Sequence, residues 1–107
     1  MLNRRTLLAA SAAAIAAPRV ARAQSTPGVT ATEIKIGNIM PYSGPASAYG
    51  AIGRLEQAYF KALNEAGGIA GRKINFITYD DGYSPPKTVE QARRLVEQDR
   101  VAFLFNT

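Results

Sequence analysis

The groups in this chain that could do chemistry are few: Asp80 and Asp81 side by side, Ser43 and Ser47 between the rings of Tyr42 and Tyr49, and Asn106-Thr107 after an apolar run. There is no histidine and no cysteine, which removes the commonest general base, thiolate nucleophile and zinc or haem ligands. Neighbouring residues of a strand point to opposite faces, so Asp80 and Asp81 cannot share one ion or one proton unless the backbone turns between them. Capping and loop hydrogen bonds are their expected use, and neither a metal site nor a cofactor is expected. Gly50-Ala51-Ile52-Gly53 lacks the spacing of a dinucleotide or phosphate loop, and its glycines are expected to let a helix lie close to a strand. Arg93, Arg94, Glu97 and Gln98 read as a solvated helix face. What remains suits holding a small molecule rather than transforming it.

The elements that must position these groups follow from periodicity. Ile34, Ile36, Ile39 and Met40 mark a strand that Pro41 ends, followed by the long loop Tyr42 to Ala48. From Tyr49 the period becomes helical: Ile52, Leu55, Tyr59, Leu63 and Ala66 recur on one side, with Arg54, Gln57, Lys61, Asn64 and Glu65 on the other. Gly67-Gly68 and Ile69 supply a left-handed helix terminus. A second strand, Lys73 to Asp80, ends in Asp80-Asp81-Gly82, and Ser84-Pro85 opens a second helix with Val89, Ala92, Leu95 and Val96 as its expected buried stripe. Val101 to Phe105 is an uninterrupted apolar run, the pattern of a strand covered on both faces.

The order β-α-β-α-β implies an α/β fold with a parallel sheet and right-handed crossovers. With the helices on opposite faces, the first strand lies between the other two. Ligands of such sheets bind beyond the carboxyl ends of the strands, where the winding reverses. That crevice is flanked by the loop Pro41 to Tyr49 and by Asn106-Thr107. Tyr49, Ser43, Tyr42, Asn106 and Thr107 are therefore the candidate ligand-binding residues, aided by amides at a helix N-terminus that favour an anionic group. For each, turn chemistry or packing over the helix is the plainer alternative.

Residues 1–23 read as an export signal. Arg4 and Arg5 precede an apolar stretch from Thr6 to Ala17, and Ala21-Arg22-Ala23 precedes Gln24, near which cleavage is expected. The stretch has 12 residues and would climb only about 18 Å as a helix, short of a roughly 30 Å hydrocarbon core. The paired arginines resemble a twin-arginine signal, with ordinary secretion as the alternative. Of the 13 basic side chains, Arg4, Arg5, Arg19 and Arg22 fall in this segment, leaving nine against eight acidic ones. The formal charge of +5 thus gives no support to a nucleic-acid or membrane-surface partner. Lacking cysteine, the sequence has no site for lipoprotein acylation, and a periplasmic location is expected. Residues 24–32, with Pro27 and Gly28, read as a flexible lead-in.

Taken together, Glu33-Ile34-Lys35-Ile36-Gly37, Ser43-Gly44-Pro45 with Tyr49-Gly50, Asn64 to Ile69 with Gly71-Arg72, Tyr79-Asp80-Asp81 and Pro85 to Gln98 resemble the N-terminal portion of type I periplasmic binding proteins, in the leucine/isoleucine/valine-binding branch that serves ABC importers. The resemblance covers Thr32 to Thr107, and residues 33–107 are expected to be part of an N-terminal lobe. It implies a non-enzymatic, two-lobed protein that closes around a branched-chain amino acid or similar small carboxylate and delivers it to an inner-membrane ABC permease. It also implies that Tyr49, before the glycine that opens the first helix, lies against the ligand, and that the loop begun by Asn106-Thr107 holds the ligand carboxylate. The 107-residue chain is expected to be a fragment that binds ligand poorly alone. An exported ligand-sensing domain and an exported α/β enzyme are the alternatives.

Overall fold

The computed structural model describes residues 25–107, so the expected export signal lies outside the described residues. Strands β1 (Glu33–Met40), β2 (Lys73–Asp80) and β3 (Phe103–Leu104) form a parallel sheet in the order β2-β1-β3. Glu33 lies opposite Lys73 and Met40 opposite Asp80, while Ile36 and Gly37 face Phe103 and Leu104. Helix α1 (Gly50–Glu65), entered through a short 3-10 turn at Ser47–Tyr49, joins β1 to β2. Helix α2 (Pro85–Arg93), whose last turn widens at Arg94–Gln98, joins β2 to β3. The expected topology, with β1 central, is the one observed.

Alternation along β1 assigns its two faces. Ile39, Leu95 and Val101 form a buried cluster with Ile77, Tyr79 and Ala92 around it, which places α2 on one face. Leu95 is fully buried, and its methyls lie so close to Gly37 that a Cβ there would meet them at 3.1 Å. On the other face, Phe60 of α1 stacks on Phe76 of β2 at 5.0 Å between centroids and meets Phe105 edge-on at 6.3 Å.

The faces of both helices differ from the sequence reading. Ile52, Leu55 and Tyr59, expected inside α1, are exposed, as are Val89 and Val96 of α2. The side of α1 that meets the sheet carries Gly50, Gly53, Glu56, Phe60 and Leu63. Close approach explains the rotation. A Cβ on Gly53 would stand 2.2 Å from the Tyr42 hydroxyl and 2.9 Å from Met40 Cγ, so only glycine lets the helix lie over that ring. The helix seats where its glycines fall, and the larger apolar residues turn outward.

Two further differences are local. The apolar run Val101 to Phe105 contributes only Phe103–Leu104 as strand; Val101 drops into the cluster under β1, and Phe103, Leu104 and Phe105 remain exposed among the described residues. Part of the segment read as a flexible lead-in is docked: Val29 bridges to Ile34, and the Lys35 amide donates to the Gly28 carbonyl at 2.8 Å. Gly28 has φ 73°, and a Cβ there would come within 2.3 Å of the Ala102 backbone nitrogen. The terminus of α1 is as expected, with Gly67 and Gly68 at positive φ and the Gly68 amide donating to Leu63 at 2.9 Å.

Candidate functional site

All three strands run the same way, so the loop after β1, the loop after β2 and Asn106-Thr107 emerge at one end of the sheet. The candidate residues are thus brought to a common rim, but they differ in how free they are. Tyr49 closes the 3-10 turn, is 63% exposed, and has its amide bound to Ala46. Thr107 is exposed. Asn106 is exposed with φ 50°, a left-handed conformation that asparagine tolerates, and its amide nitrogen donates to Glu56 of α1. The other carboxylate oxygen of Glu56, Oε2, is buried without a hydrogen-bond partner among the described residues.

Tyr42 turns inward instead. Its ring lies under α1 against Gly50 and Gly53, with the Arg54 guanidinium 5.5 Å from the centroid. Its hydroxyl lies 2.6 Å from Thr78 Oγ1, which donates to Asn38 Oδ1 at 2.7 Å. Asn38 spends both of its amide hydrogens on consecutive carbonyls, Phe105 at 3.0 Å and Asn106 at 2.9 Å. Since Thr78 has one proton and gives it to Asn38, the Tyr42 hydroxyl is the donor to Thr78. One chain of partly buried hydrogen bonds therefore runs from the loop after β1, through β2 and β1, to the segment after β3.

Sequence reasoning missed Asn38. It is fully buried in the middle of the central strand, and the available signal was an asparagine among Ile36, Ile39 and Met40. A buried amide persists only when its hydrogen bonds are made.

Ser43 is tied to the neighbouring loop. Its hydroxyl donates to Asp80 Oδ2, while Asp80 Oδ1 accepts the amides of Tyr42 at 2.9 Å, Ser43 at 3.2 Å and Gly82 at 2.9 Å. Asp81 ties its own loop to the first turn of α2, accepting the Tyr83 amide at 2.9 Å and the Thr88 hydroxyl at 2.6 Å. The two carboxylates thus serve separate loop clasps, the use expected of them. Ser84 occupies the N-cap position of α2 without a side-chain capping bond.

The Ser43 hydroxyl first, with the Gly82, Ser43 and Tyr42 amides, stabilises the Asp80 carboxylate and holds its pKa down at about 2. A depressed folded pKa contributes stability that is complete above the unfolded value of about 3.9 and is lost as pH falls through the folded one. The clasp is therefore expected to persist down to about pH 2. A carbon-13 titration of the Asp80 carboxyl checks this; a midpoint near the unfolded value would mean that the clasp does not form.

No group of three or more acidic side chains able to hold a metal ion occurs among the described residues, and none of their helices is long and apolar enough to cross a membrane. Comparison with known proteins places this geometry. The family described as "Periplasmic binding protein" matches residues 33–107. An "Amino acid binding protein" of Pseudomonas aeruginosa is 35% identical over 69 residues, which is 64% of this chain and 18% of that protein. Among solved structures, a branched-chain amino acid transporter substrate binding protein from Streptococcus pneumoniae, in complex with isoleucine, superposes with a TM-score of 0.66 at 27% identity, over 71% of this chain and 22% of that one. A solute binding protein of an ABC transporter from Rhodopseudomonas palustris, in complex with 3,4-dihydroxy benzoic acid, gives 0.58 at 32% identity, over 67% and 20%. The chain spans about a fifth of the length of these relatives.

Proposed function

Because the chain belongs to the periplasmic binding protein family, we propose that it supplies part of the first lobe of an exported solute-binding protein of an ABC importer, and that the rim carrying Tyr49, Ser43 and Asn106-Thr107 is its contribution to the ligand site. The observation that carries this reading is the parallel sheet: it sends the loop after β1 and the segment after β3 out at the same end, the end where open α/β sheets take their ligands. The ligand is a branched-chain amino acid or a similar small carboxylate, received between two lobes. Binding stabilises a closed arrangement of the lobes, which a permease in the inner membrane then recognises. The protein binds its ligand and does not transform it. Export by the N-terminal segment delivers it to the periplasm.

In this role Tyr49 offers an exposed ring to the apolar part of the ligand, where aromatic side chains give large contact area with little loss of freedom. Asn106 and Thr107 bring polar groups to the carboxylate end. A thermal-shift and calorimetric screen of the protein that carries this sequence tests the reading, with leucine, isoleucine, valine, benzoate and 4-hydroxybenzoate as probes. Saturable 1:1 binding of at least one probe is expected. Absence of binding to all five would overturn it.

A further inference from the structure

The bond between Ser43 and Asp80 fixes what the first loop can say to a ligand. A serine hydroxyl has one hydrogen and two lone pairs, and an ionised carboxylate only accepts. The Ser43 proton is given to Asp80 Oδ2, so Ser43 Oγ has only lone pairs left to turn outward. Beside it lies the Asp80 charge, also exposed and held in place by three backbone amides. The two loops are also in direct contact, since a Cβ on Gly44 would meet the Gly82 carbonyl oxygen at 2.6 Å. Ser43 is exposed and cannot re-aim its proton without breaking this clasp.

Resting on the ligand-site reading above, we propose that the Ser43–Asp80 pair is a specificity-determining acceptor corner, which selects ligands presenting a hydrogen-bond donor there and repels a bare carboxylate. A ligand ammonium or hydroxyl meets an oxygen lone pair backed by a negative charge, a charge-assisted arrangement stronger than a neutral hydrogen bond. A ligand carboxylate oxygen at the same place meets two acceptors of like character. The carboxylate end of the ligand is thereby directed away from the loop after β1 and towards Asn106-Thr107, and the site reads the polarity of its ligand along the rim. Asp80 acts through Ser43 as a positioning residue, and Ser43 makes the contact.

The test uses two probe pairs in which one member lacks the donor: leucine against 4-methyl-2-oxopentanoate, where a carbonyl replaces the ammonium, and 4-hydroxybenzoate against benzoate, which lacks the hydroxyl. Affinities are measured by calorimetry in the protein carrying this sequence, in its Asp80→Asn variant and in its Ser43→Ala variant. In Asp80→Asn the new amide nitrogen donates to Ser43 Oγ and frees the serine proton to point outward; in Ser43→Ala the acceptor is gone. The unaltered protein is expected to prefer the donor-bearing member of at least one pair by about tenfold or more, and both variants to bring that ratio to within about threefold. Loosening of the loop alone would weaken both members of a pair equally and leave the ratio unchanged, so an unchanged ratio in both pairs overturns the proposal. If the unaltered protein binds isoleucine or valine instead of these four, that amino acid and its 2-oxo acid form the first pair; if it binds none of the probes, the ligand-site reading fails and takes this proposal with it.

Discussion

Replacing Asn38 by leucine is expected to cost this fold about 2–3 kcal/mol, because it removes three hydrogen bonds from a fully buried side chain, each worth about 1 kcal/mol. The carbonyls of Phe105 and Asn106 lose their donors, and the Thr78 hydroxyl loses its acceptor. Leucine keeps the branched outline of asparagine but is larger, so the burial of its methyls, set against the crowding they cause, offsets only part of this loss. The variants along the chain of bonds should rank by how many partners each abandons: Asn38→Leu above Thr78→Val, and Thr78→Val above Tyr42→Phe, which removes a single bond at the far end. Urea melts of the protein that carries this sequence measure the ranking. An Asn38→Leu variant within about 0.5 kcal/mol of the parent, the scale of surface substitutions, would show that the chain of bonds does not hold the rim together.

The second large effect is expected at Gly53. Alanine is the better helix former by about 1 kcal/mol, so on an unencumbered helix Gly53→Ala would stabilise. Here the added methyl meets the Tyr42 hydroxyl at 2.2 Å and Met40 Cγ at 2.9 Å. Either α1 lifts from the sheet or the Tyr42 ring moves and gives up its bond to Thr78. Overpacking of this kind costs about 1–3 kcal/mol, and the loss of the buried hydroxyl's partner adds about 1 kcal/mol more. A net destabilisation is the expected sign. The double variant Gly53→Ala/Tyr42→Phe separates the causes, since removing the hydroxyl relieves the tightest contact and should recover part of the loss. If Gly53→Ala stabilises the protein, the close seating of α1 is wrong.

The topology was legible because parallel sheets announce themselves through element order, and β1, β2 and both helices follow the predicted segments closely. The orientation of α1 was not, because hydrophobic periodicity weighs the large residues Ile52, Leu55 and Tyr59. The helix is positioned instead by the absence of side chains at Gly50 and Gly53, a property of contact rather than of hydropathy. Phe60 went unnoticed for the same reason: it falls off the Ile52-Leu55-Tyr59 stripe, yet it is the ring that meets Phe76 and Phe105. β3 came out short because an apolar run does not say where strand gives way to core, and Val101 turns down into the cluster of Ile39 and Leu95.

At the site, the sequence brought the candidate loops to one end of the sheet, because strand direction alone fixes which loops share a rim. It could not say which side chains on that rim are already occupied. Tyr42 and Ser43 carry the same groups whether they face a ligand or their own fold, and only coordinates show Tyr42 bound to Thr78 and Ser43 to Asp80. The separate duties of Asp80 and Asp81 were readable from strand alternation, whereas the role of Asn38 needed the register that sets it beside Phe105 and Asn106.

The most direct measurement is a ligand titration followed by NMR on the protein that carries this sequence, labelled at tyrosine and asparagine, using whichever probe binds in the calorimetric screen. The account predicts that the resonances of Tyr49 and Asn106 shift together with the occupancy of the ligand, while those of Asn64 and Asn75, at the opposite end of the sheet, stay where they are. A titration that moves Asn64 and Asn75 and leaves Tyr49 and Asn106 untouched would place the ligand elsewhere and contradict it.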